Sequence, residues 1–277
     1  MFYDVVEYAT SMSSAWDVIR KRPRAIPAGV VAFGLALASL LCAVGRPPRA
    51  GGLPHPVPVL IIGGSAAAGW VDLTGPGYVA RGVLGFGDGH GLDFQVTNHA
   101  IPGAPVVDGT VRDHLSDWVS QLGSGGIVVL AWGLLNDLRL HVAPSRIKRA
   151  LERQIRIALR ASDVVLLVTP PATRSSYVQD RYSEPRLVDL EIRVARSFHS
   201  PAVYVANVFL TEKHFLRTRG ESYGPLMHGL WDPNTRGQKL AGRLLVRVLT
   251  RVVASQTLSV LLERLQARTD GLYGAAG

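Results

Sequence analysis

The sequence contains only one cysteine, Cys42, among its 277 residues. A single thiol cannot form a disulfide within the chain, and it cannot supply a cysteine-based metal site. The sequence also lacks the patterns that signal nucleic-acid binding: zinc-finger spacing, an aromatic and basic RNA-binding signature, and an obvious helix-turn-helix. We therefore expect no metal, no other cofactor and no nucleic-acid partner.

Acidic residues are outnumbered by basic ones, 21 Asp and Glu against 30 Lys and Arg, so the net charge at pH 7 is +9. Because no nucleic-acid motif accompanies it, this positive charge favours proximity to an anionic membrane surface or cell envelope. The hydrophobic fraction of 47% is enough to build the core of one domain of ordinary size.

Only one stretch is long and apolar enough to cross a membrane. Residues 25–44 carry no charge, and a helix of that length spans roughly 30 Å, the thickness of the hydrocarbon layer. More basic residues precede this run than follow it, so the positive-inside rule places residues 1–24 in the cytoplasm and the rest of the chain outside. We predict a transmembrane signal anchor in the cell membrane, followed by an extended linker over residues 45–56.

Two alternatives remain open for this apolar run. The small residues at Ala43-Val44-Gly45 would suit cleavage of a signal peptide, which would release a secreted protein. The run could instead be a buried core helix. A lipoprotein site at Cys42 is disfavoured, because the bulky Leu41 stands where a small residue is expected.

From residue 57 onward, short apolar runs alternate with stretches of helical pattern. Runs typical of strands cover residues 57–62, 92–97, 127–132, 164–169 and 202–206. Helical patterns cover residues 77–84, 107–121, 144–161 and 185–198, and a last one begins at Asn234 or Thr235 and extends to 268. This alternation predicts an α/β fold with a parallel sheet covered by helices on both faces. The domain is expected to span residues 57–268, with residues 269–277 as a C-terminal tail.

Residues with chemically useful side chains or N–H groups follow the predicted strands. Ser65 follows the first strand, Gly103 the second and Asn136 the third, while His228 and Asp232 precede the last helix. Because the carboxyl ends of parallel strands meet at one edge of a sheet, these residues are expected to share a cleft. A hydroxyl, N–H donors, an amide and an imidazole are the parts of an acyl-transfer site.

Ser65 taken alone has a simpler interpretation, a Gly-Ser turn that only connects a strand to a helix. Other motifs fit the stretch less well. The nucleophile elbow of α/β-hydrolases needs glycine where Ala67 stands, and a phosphate-binding loop needs lysine where Trp70 stands.

Together, the four stretches resemble the SGNH (GDSL) hydrolase family, whose blocks carry Ser, Gly, Asn and His in that order. The resemblance covers roughly residues 57–249. It implies Ser65 as the nucleophile, and an oxyanion hole formed by the N–H groups of Ser65 and Gly103 with the Asn136 side chain. It also implies a three-layer α/β/α sandwich of flavodoxin-like type with a five-stranded parallel sheet. The implied activity is a serine esterase for acetyl or short acyl esters, such as those of envelope glycans or lipids.

The chain departs from the family pattern at three places. Gly64 replaces the Asp of the first block, and one extra residue separates Gly133 from Asn136 in the third. The fourth block of the family reads Asp-x-x-His-Pro. Here Asp232 stands at the His position and Gly229 at the Asp position, while a histidine occurs nearby at 228.

Three interpretations of the fourth block follow. In a rearranged loop, His228 would act as the base and Asp232 would orient it, as in other Ser-His-Asp sites. Alternatively, Asp232 would contact Ser65 directly and act as a poor base, since carboxylates accept protons weakly at neutral pH. In the third interpretation the domain is catalytically silent and binds envelope components. We predict a catalytic set of Ser65, His228 and Asp232, with His99 as the next histidine to test.

Overall fold

The computed structural model describes residues 56–123, 125–162 and 164–254. The predicted signal anchor at 25–44, its flanking segments and the predicted tail lie outside the described residues, so these assignments stay predictions. Over the described ranges, none of the helices is both long enough and apolar enough to cross a bilayer.

Five parallel strands alternate with helices in the described part of the chain. The strands of this sheet are β1 (Val57–Gly63), β2 (Phe94–Asn98), β3 (Ile127–Ala131), β4 (Val164–Val168) and β5 (Val203–Ala206). The helices are α1 (Ser65–Ala68), α2 (Tyr78–His90), α3 (Gly109–Ser120), α4 (Leu135–Arg139), α5 (Pro144–Ala158), α6 (Ser183–Arg196), α7 (Val208–Arg219) and α8 (Thr235–Ala254). Two short strands, β6 (Met227–His228) and β7 (Asp232–Pro233), form an antiparallel pair. The predicted α/β fold with a five-stranded parallel sheet is confirmed.

The strand order of the sheet is β2-β1-β3-β4-β5. The chain therefore passes from β1 to a neighbour on one side, and then returns to add β3 on the other side. In such sheets a crevice opens beyond the carboxyl ends of the two strands at which the order reverses, here β1 and β3, and ligands bind there. Gly63 at the end of β1 pairs with Ala131 at the end of β3, so the residues that follow both strands lie at this crevice.

Alternate residues of the strands pack on opposite faces of the sheet, as they must in a strand covered on both sides. Leu60 and Ile62 of β1 belong to one buried cluster, while Val59 and Ile61 belong to the other. Helices α3, α5 and α6 cover the first face, and α2 with one side of α8 covers the second. Burying each such aliphatic side chain contributes about 1.5–3 kcal/mol to stability.

Gly63 ends β1 next to the crevice and pairs with Ala131 of β3. A Cβ atom at residue 63 would stand 2.1 Å from the carbonyl oxygen of Ala131, so any side chain there must force the two strands apart. We expect Gly63→Ala to lower the free energy of unfolding by roughly 1–3 kcal/mol, as measured by urea denaturation of the full-length protein.

The matched control for this change is Gly89→Ala in α2, where an added Cβ meets no heavy atom within 4 Å. Alanine favours a helix over glycine by about 1 kcal/mol, so this variant should be as stable as the wild type or slightly more stable. Equal losses of stability in the two variants would contradict the close approach at Gly63.

Candidate active site

Ser65 is the first residue of α1 and follows β1 directly. Gly64 precedes it in an extended conformation, with φ −99° and ψ −162°. The Gly64 N–H donates to the Ala131 carbonyl at 3.3 Å, so the sheet ladder continues to the residue before the serine. The first N–H groups of a helix have no acceptor within that helix. The Ser65 N–H is therefore available to an oxygen of a bound ligand.

The Ser65 hydroxyl donates a hydrogen bond of 2.8 Å to Oδ1 of Asp232, which lies 167 residues later in the chain. Asp232 is the first residue of β7, a strand that packs against α1. Asn234 fixes the residues on both sides: its Oδ1 accepts from the N–H groups of Arg236 and Gly237, and its Nδ2 donates to the Met227 carbonyl. These bonds hold the β6–β7 pair at the start of α8, and so hold Asp232 beside Ser65.

His228 lies on β6 directly opposite Asp232, and it is exposed. The Ser65 hydroxyl therefore contacts the carboxylate and not the imidazole that a rearranged loop would bring to it. The register explains this outcome, because β7 is the strand of the pair that packs against α1. The catalytic role of His228 stays a prediction. His99 is stacked on Trp118, with 4.5 Å between the ring centres.

The loop after β2 presents Gly103 at the same edge of the sheet. Gly103 has φ +79°, a left-handed conformation that glycine adopts without strain. Ile101 ties this loop to β1, because its N–H donates to the Gly63 carbonyl at 2.9 Å. Among the described residues, none accepts a hydrogen bond from the Gly103 N–H. That donor is therefore free for a ligand.

Asn136 lies on α4, directly beyond β3. Its Nδ2 donates to the Ala104 carbonyl at 3.4 Å, which leaves the second hydrogen of the amide for a ligand. The extra residue of the third block is accommodated by Leu134, which has φ +59° and is buried in the core. A left-handed leucine costs about 1–2 kcal/mol, which burial of its side chain offsets. Asn136 consequently reaches the cleft despite the insertion.

One open cavity of about 300 Å³ brings together Ser65, Gly103, Asn136 and Asp232. Three large side chains that were not predicted as site residues also line it: Trp70, Arg139 and Trp231. The guanidinium carbon of Arg139 lies 4.1 Å from the ring centre of Trp231. Two of them could have been found from their positions in the sequence. Trp231 adjoins Asp232, and Arg139 follows Asn136 by three residues, close to one helical turn.

Asp137 connects α4 to the loop that follows β2. It is 1% exposed, and its two carboxylate oxygens accept from the Val106 N–H at 3.1 Å each. Burial raises the pKa of Asp137 to about 6. This contact ties the loop that carries Gly103 to the helix that carries Asn136.

Three further buried carboxyl groups lie behind the cavity: Glu184 and Glu191 on α6 and Glu212 on α7. Thr173, which lines the cavity, donates to Oε2 of Glu184 at 3.0 Å, and the Ala172 N–H donates to Oε2 of Glu212 at 2.8 Å. Burial raises the pKa values of Glu184 and Glu212 to about 8, and the pKa of Glu191 well above its usual range. Burial therefore favours the neutral, protonated form of these groups in the folded domain.

These raised pKa values predict a loss of stability toward alkaline pH. Below about pH 4.5 the folded and unfolded chains both carry the protons of Glu184 and Glu212, whose folded pKa values are about 8. Between pH 4.5 and about 8, the unfolded chain releases the protons of these two glutamates while the folded domain retains them. Folding therefore becomes less favourable as the pH rises through this range. We expect a lower melting temperature at pH 8.5 than at pH 5, by calorimetry or thermal denaturation.

Glu184→Gln should reduce this dependence on pH, because the amide does not titrate. Glu221, which is exposed and 3.8 Å from Arg219, offers the control: Glu221→Gln should leave the dependence on pH as in the wild type. If Glu184→Gln has the same dependence as the wild type, the buried carboxyl does not hold its proton as described.

The described domain is similar to several solved structures. The protein YxiM of Bacillus subtilis matches with a TM-score of 0.58 at 20% identity, over 71% of this chain and 57% of that one. The acetylxylan esterase Axe2 of Geobacillus stearothermophilus matches with a TM-score of 0.55 at 18% identity, over 71% and 95% of the two chains. The lipase/acylhydrolase of Enterococcus faecalis matches with a TM-score of 0.53 at 22% identity, over 69% and 94%.

Catalytic mutants of Axe2 replace a serine, an aspartate or a histidine. No family model and no curated protein sequence matches this chain. Since the chain spans only 57% of YxiM and every identity is below 25%, the comparisons concern the fold. They show that the described domain shares the fold of these esterases and acylhydrolases.

Proposed function

We propose that this protein is a serine ester hydrolase in which Asp232 accepts the proton of Ser65. The observation that carries the proposal is the 2.8 Å hydrogen bond from the Ser65 hydroxyl to Asp232 in an open cavity. The N–H groups of Ser65 and Gly103 and the Asn136 amide supply donors for a developing oxyanion. A nucleophile, a proton acceptor and oxyanion donors at one place are the minimal equipment for acyl transfer.

In the first half-reaction, Ser65 Oγ attacks the ester carbonyl carbon, and its proton passes to the Asp232 carboxylate. The carbonyl oxygen becomes an oxyanion within reach of the Gly103 and Asn136 donors. When the tetrahedral intermediate collapses, the bond to the alcohol breaks and the protonated Asp232 donates its proton to the leaving oxygen. This step releases the alcohol and leaves an acyl group on Ser65.

In the second half-reaction, water attacks the acyl carbonyl and Asp232 accepts a proton from it. Collapse of the second intermediate breaks the bond to Ser65 Oγ, which regains its proton from Asp232. The carboxylic acid leaves and the resting site is restored. A carboxylate is generally a weaker base than imidazole at neutral pH, so we expect slower turnover than a Ser-His-Asp site gives.

The dimensions of the cavity favour short acyl groups. Its volume of about 300 Å³ is at the small end of the range for ligand sites. Trp70 and Trp231 give it flat apolar surfaces of the kind that pack against sugar rings. The esterase Axe2, which has the same fold, is named for acetylxylan. We infer acetyl or other short acyl esters on a glycan or lipid of the cell envelope as the substrate class.

Hydrolysis of a series of nitrophenyl esters by the full-length protein tests this proposal. We expect kcat/KM for the acetate and butyrate to exceed that for the octanoate by about tenfold or more, since the cavity is at the small end of the range for ligand sites. Ser65→Ala is the control for background hydrolysis. A preference for the octanoate would contradict the substrate class but would leave the chemistry in place.

The second candidate function is binding without catalysis, which is favoured because, among the described residues, the Ser65 hydroxyl bonds to a carboxylate and not to an imidazole. If wild type and Ser65→Ala hydrolyse all three esters at the same rate, the esterase proposal fails. The domain would then be interpreted as a binding module of the envelope on a hydrolase fold.

A further inference from the structure

A second concave site lies away from the Ser65 cavity, between α3 and α5. It is a groove of about 230 Å³, and four arginines line it: Arg112, Arg146, Arg149 and Arg153. Asp108 is the one carboxylate among its lining residues, and its Oδ1 already accepts from the Val111 N–H at the start of α3. The groove is therefore strongly positive. We name it the arginine groove.

The four guanidinium groups are not equally engaged. Arg112 forms an ion pair of 2.7 Å with Asp113, and Arg153 donates to the Arg112 carbonyl at 3.4 Å. Within the described part of the chain, Arg146 and Arg149 form no ion pair. Two arginines that share one groove repel each other without a counter-charge, so this arrangement gains from an anion between them.

The floor of the groove is fixed by buried hydrogen bonds. Gln154 Nε2 donates to the Val106 carbonyl at 2.9 Å, and Gln154 Oε1 accepts from the Trp132 indole N–H at 2.8 Å. Leu115 and Val106 add buried apolar surface to the same floor. The arginines therefore border a preformed depression and not a flat basic surface, which favours a compact ligand.

We propose that the arginine groove binds a phosphate group. The planar guanidinium donates two parallel hydrogen bonds to phosphate oxygens, which an ammonium group cannot do. At neutral pH a phosphodiester carries about −1 charge and a monoester about −1.5 to −2, which offsets the positive charge of the two unpaired arginines, Arg146 and Arg149. The phosphate belongs either to a free small molecule or to a lipid headgroup. This site is independent of ester hydrolysis, so its test does not require an active enzyme.

Calorimetric titration of the full-length protein with inorganic pyrophosphate tests the free ligand. Flotation with vesicles of phosphatidylglycerol, against vesicles of phosphatidylcholine, tests the headgroup. The groove variant is Arg146→Gln combined with Arg149→Gln. The matched control is Arg243→Gln combined with Arg251→Gln, which removes the same charge from exposed positions of α8, in the layer that covers the other face of the sheet.

We expect the groove variant to weaken pyrophosphate binding about tenfold or more, and the control variant to change it less than about twofold. Loss of preferential flotation with phosphatidylglycerol in the groove variant alone would assign the site to a lipid headgroup. Arg149→Lys, which keeps the charge but loses the paired donors, should give an intermediate loss for whichever phosphate binds. Equal weakening in groove and control variants, or no binding to either probe, would overturn the proposal.

Discussion

Asp232→Asn is expected to lower kcat for acetate ester hydrolysis by about 10²- to 10⁴-fold, with little change in KM. Asparagine has nearly the same size as aspartate. Its carbonyl oxygen can still accept the hydrogen bond from Ser65, which is 2.8 Å long in the wild type. It cannot take the proton as the serine attacks. The change therefore removes the proposed base and leaves the cavity and its oxyanion donors in place.

Single and double variants test whether Ser65 and Asp232 act together in one step or contribute separately. Ser65→Ala should abolish turnover above background, and adding Asp232→Asn to it should cost nothing more, because residues that act as a unit are not additive. His228→Ala should retain most of the activity, since His228 is exposed and the Ser65 hydroxyl contacts Asp232. If His228→Ala is as damaging as Ser65→Ala while Asp232→Asn is mild, the imidazole is the base and the proposal is wrong on this point.

Restoring the fourth block of the family should raise activity. Asp232→His places an imidazole at the position that contacts Ser65, and Gly229→Asp supplies the carboxylate that orients it. Imidazole is much better matched to proton transfer at neutral pH than a carboxylate, so we expect kcat of the double variant to exceed that of the wild type by about tenfold or more at pH 7. Steady-state hydrolysis of nitrophenyl acetate measures the change.

Gly229 can accept this substitution at a modest cost. It has φ +70°, and an added Cβ meets no heavy atom within 4 Å. Aspartate occupies this left-handed region several-fold more often than most residues. Gly229→Ala serves as the control for backbone strain, and should not raise turnover. If the double variant folds as the wild type does and yet hydrolyses the ester more slowly, the Asp232 position does not serve proton transfer.

The three inner strands, β1, β3 and β4, could be predicted from the sequence because they are buried on both faces. Continuous apolar runs such as the one that ends at Gly63 give a signal without alternation, and the predicted bounds lie within two residues of the observed ones. Helix α7 was not predicted. Only Val208, Phe209 and Leu216 mark its apolar side, and a buried Glu212 interrupts the pattern between them.

The positions of Ser65, Gly103 and Asn136 could be predicted because each lies within five residues of the end of a parallel strand. The partner of Ser65 could not, because His228 and Asp232 are paired across a short hairpin. Which of the two faces the serine depends on the packing of β7 against α1, a tertiary contact that leaves no local pattern in the sequence.

The buried glutamates left a signal that sequence analysis did not use. Glu184 and Glu191 are seven residues apart, on the same helical face as the buried Leu187 and Val188. An acidic residue at such a position normally indicates that this part of the helix is exposed to solvent. Here the helix remains regular. Burial raises the pKa values of both carboxyl groups and so favours their neutral form.

The most direct test of the Ser65–Asp232 pair is the rate at which a fluorophosphonate labels the full-length protein, followed by intact mass and by mapping of the modified peptide. We predict one adduct per chain, on Ser65, with the wild-type rate in His228→Ala and a rate reduced by about 10²-fold or more in Asp232→Asn. Labelling that is unchanged in Asp232→Asn, or that occurs on a residue other than Ser65, would contradict the account.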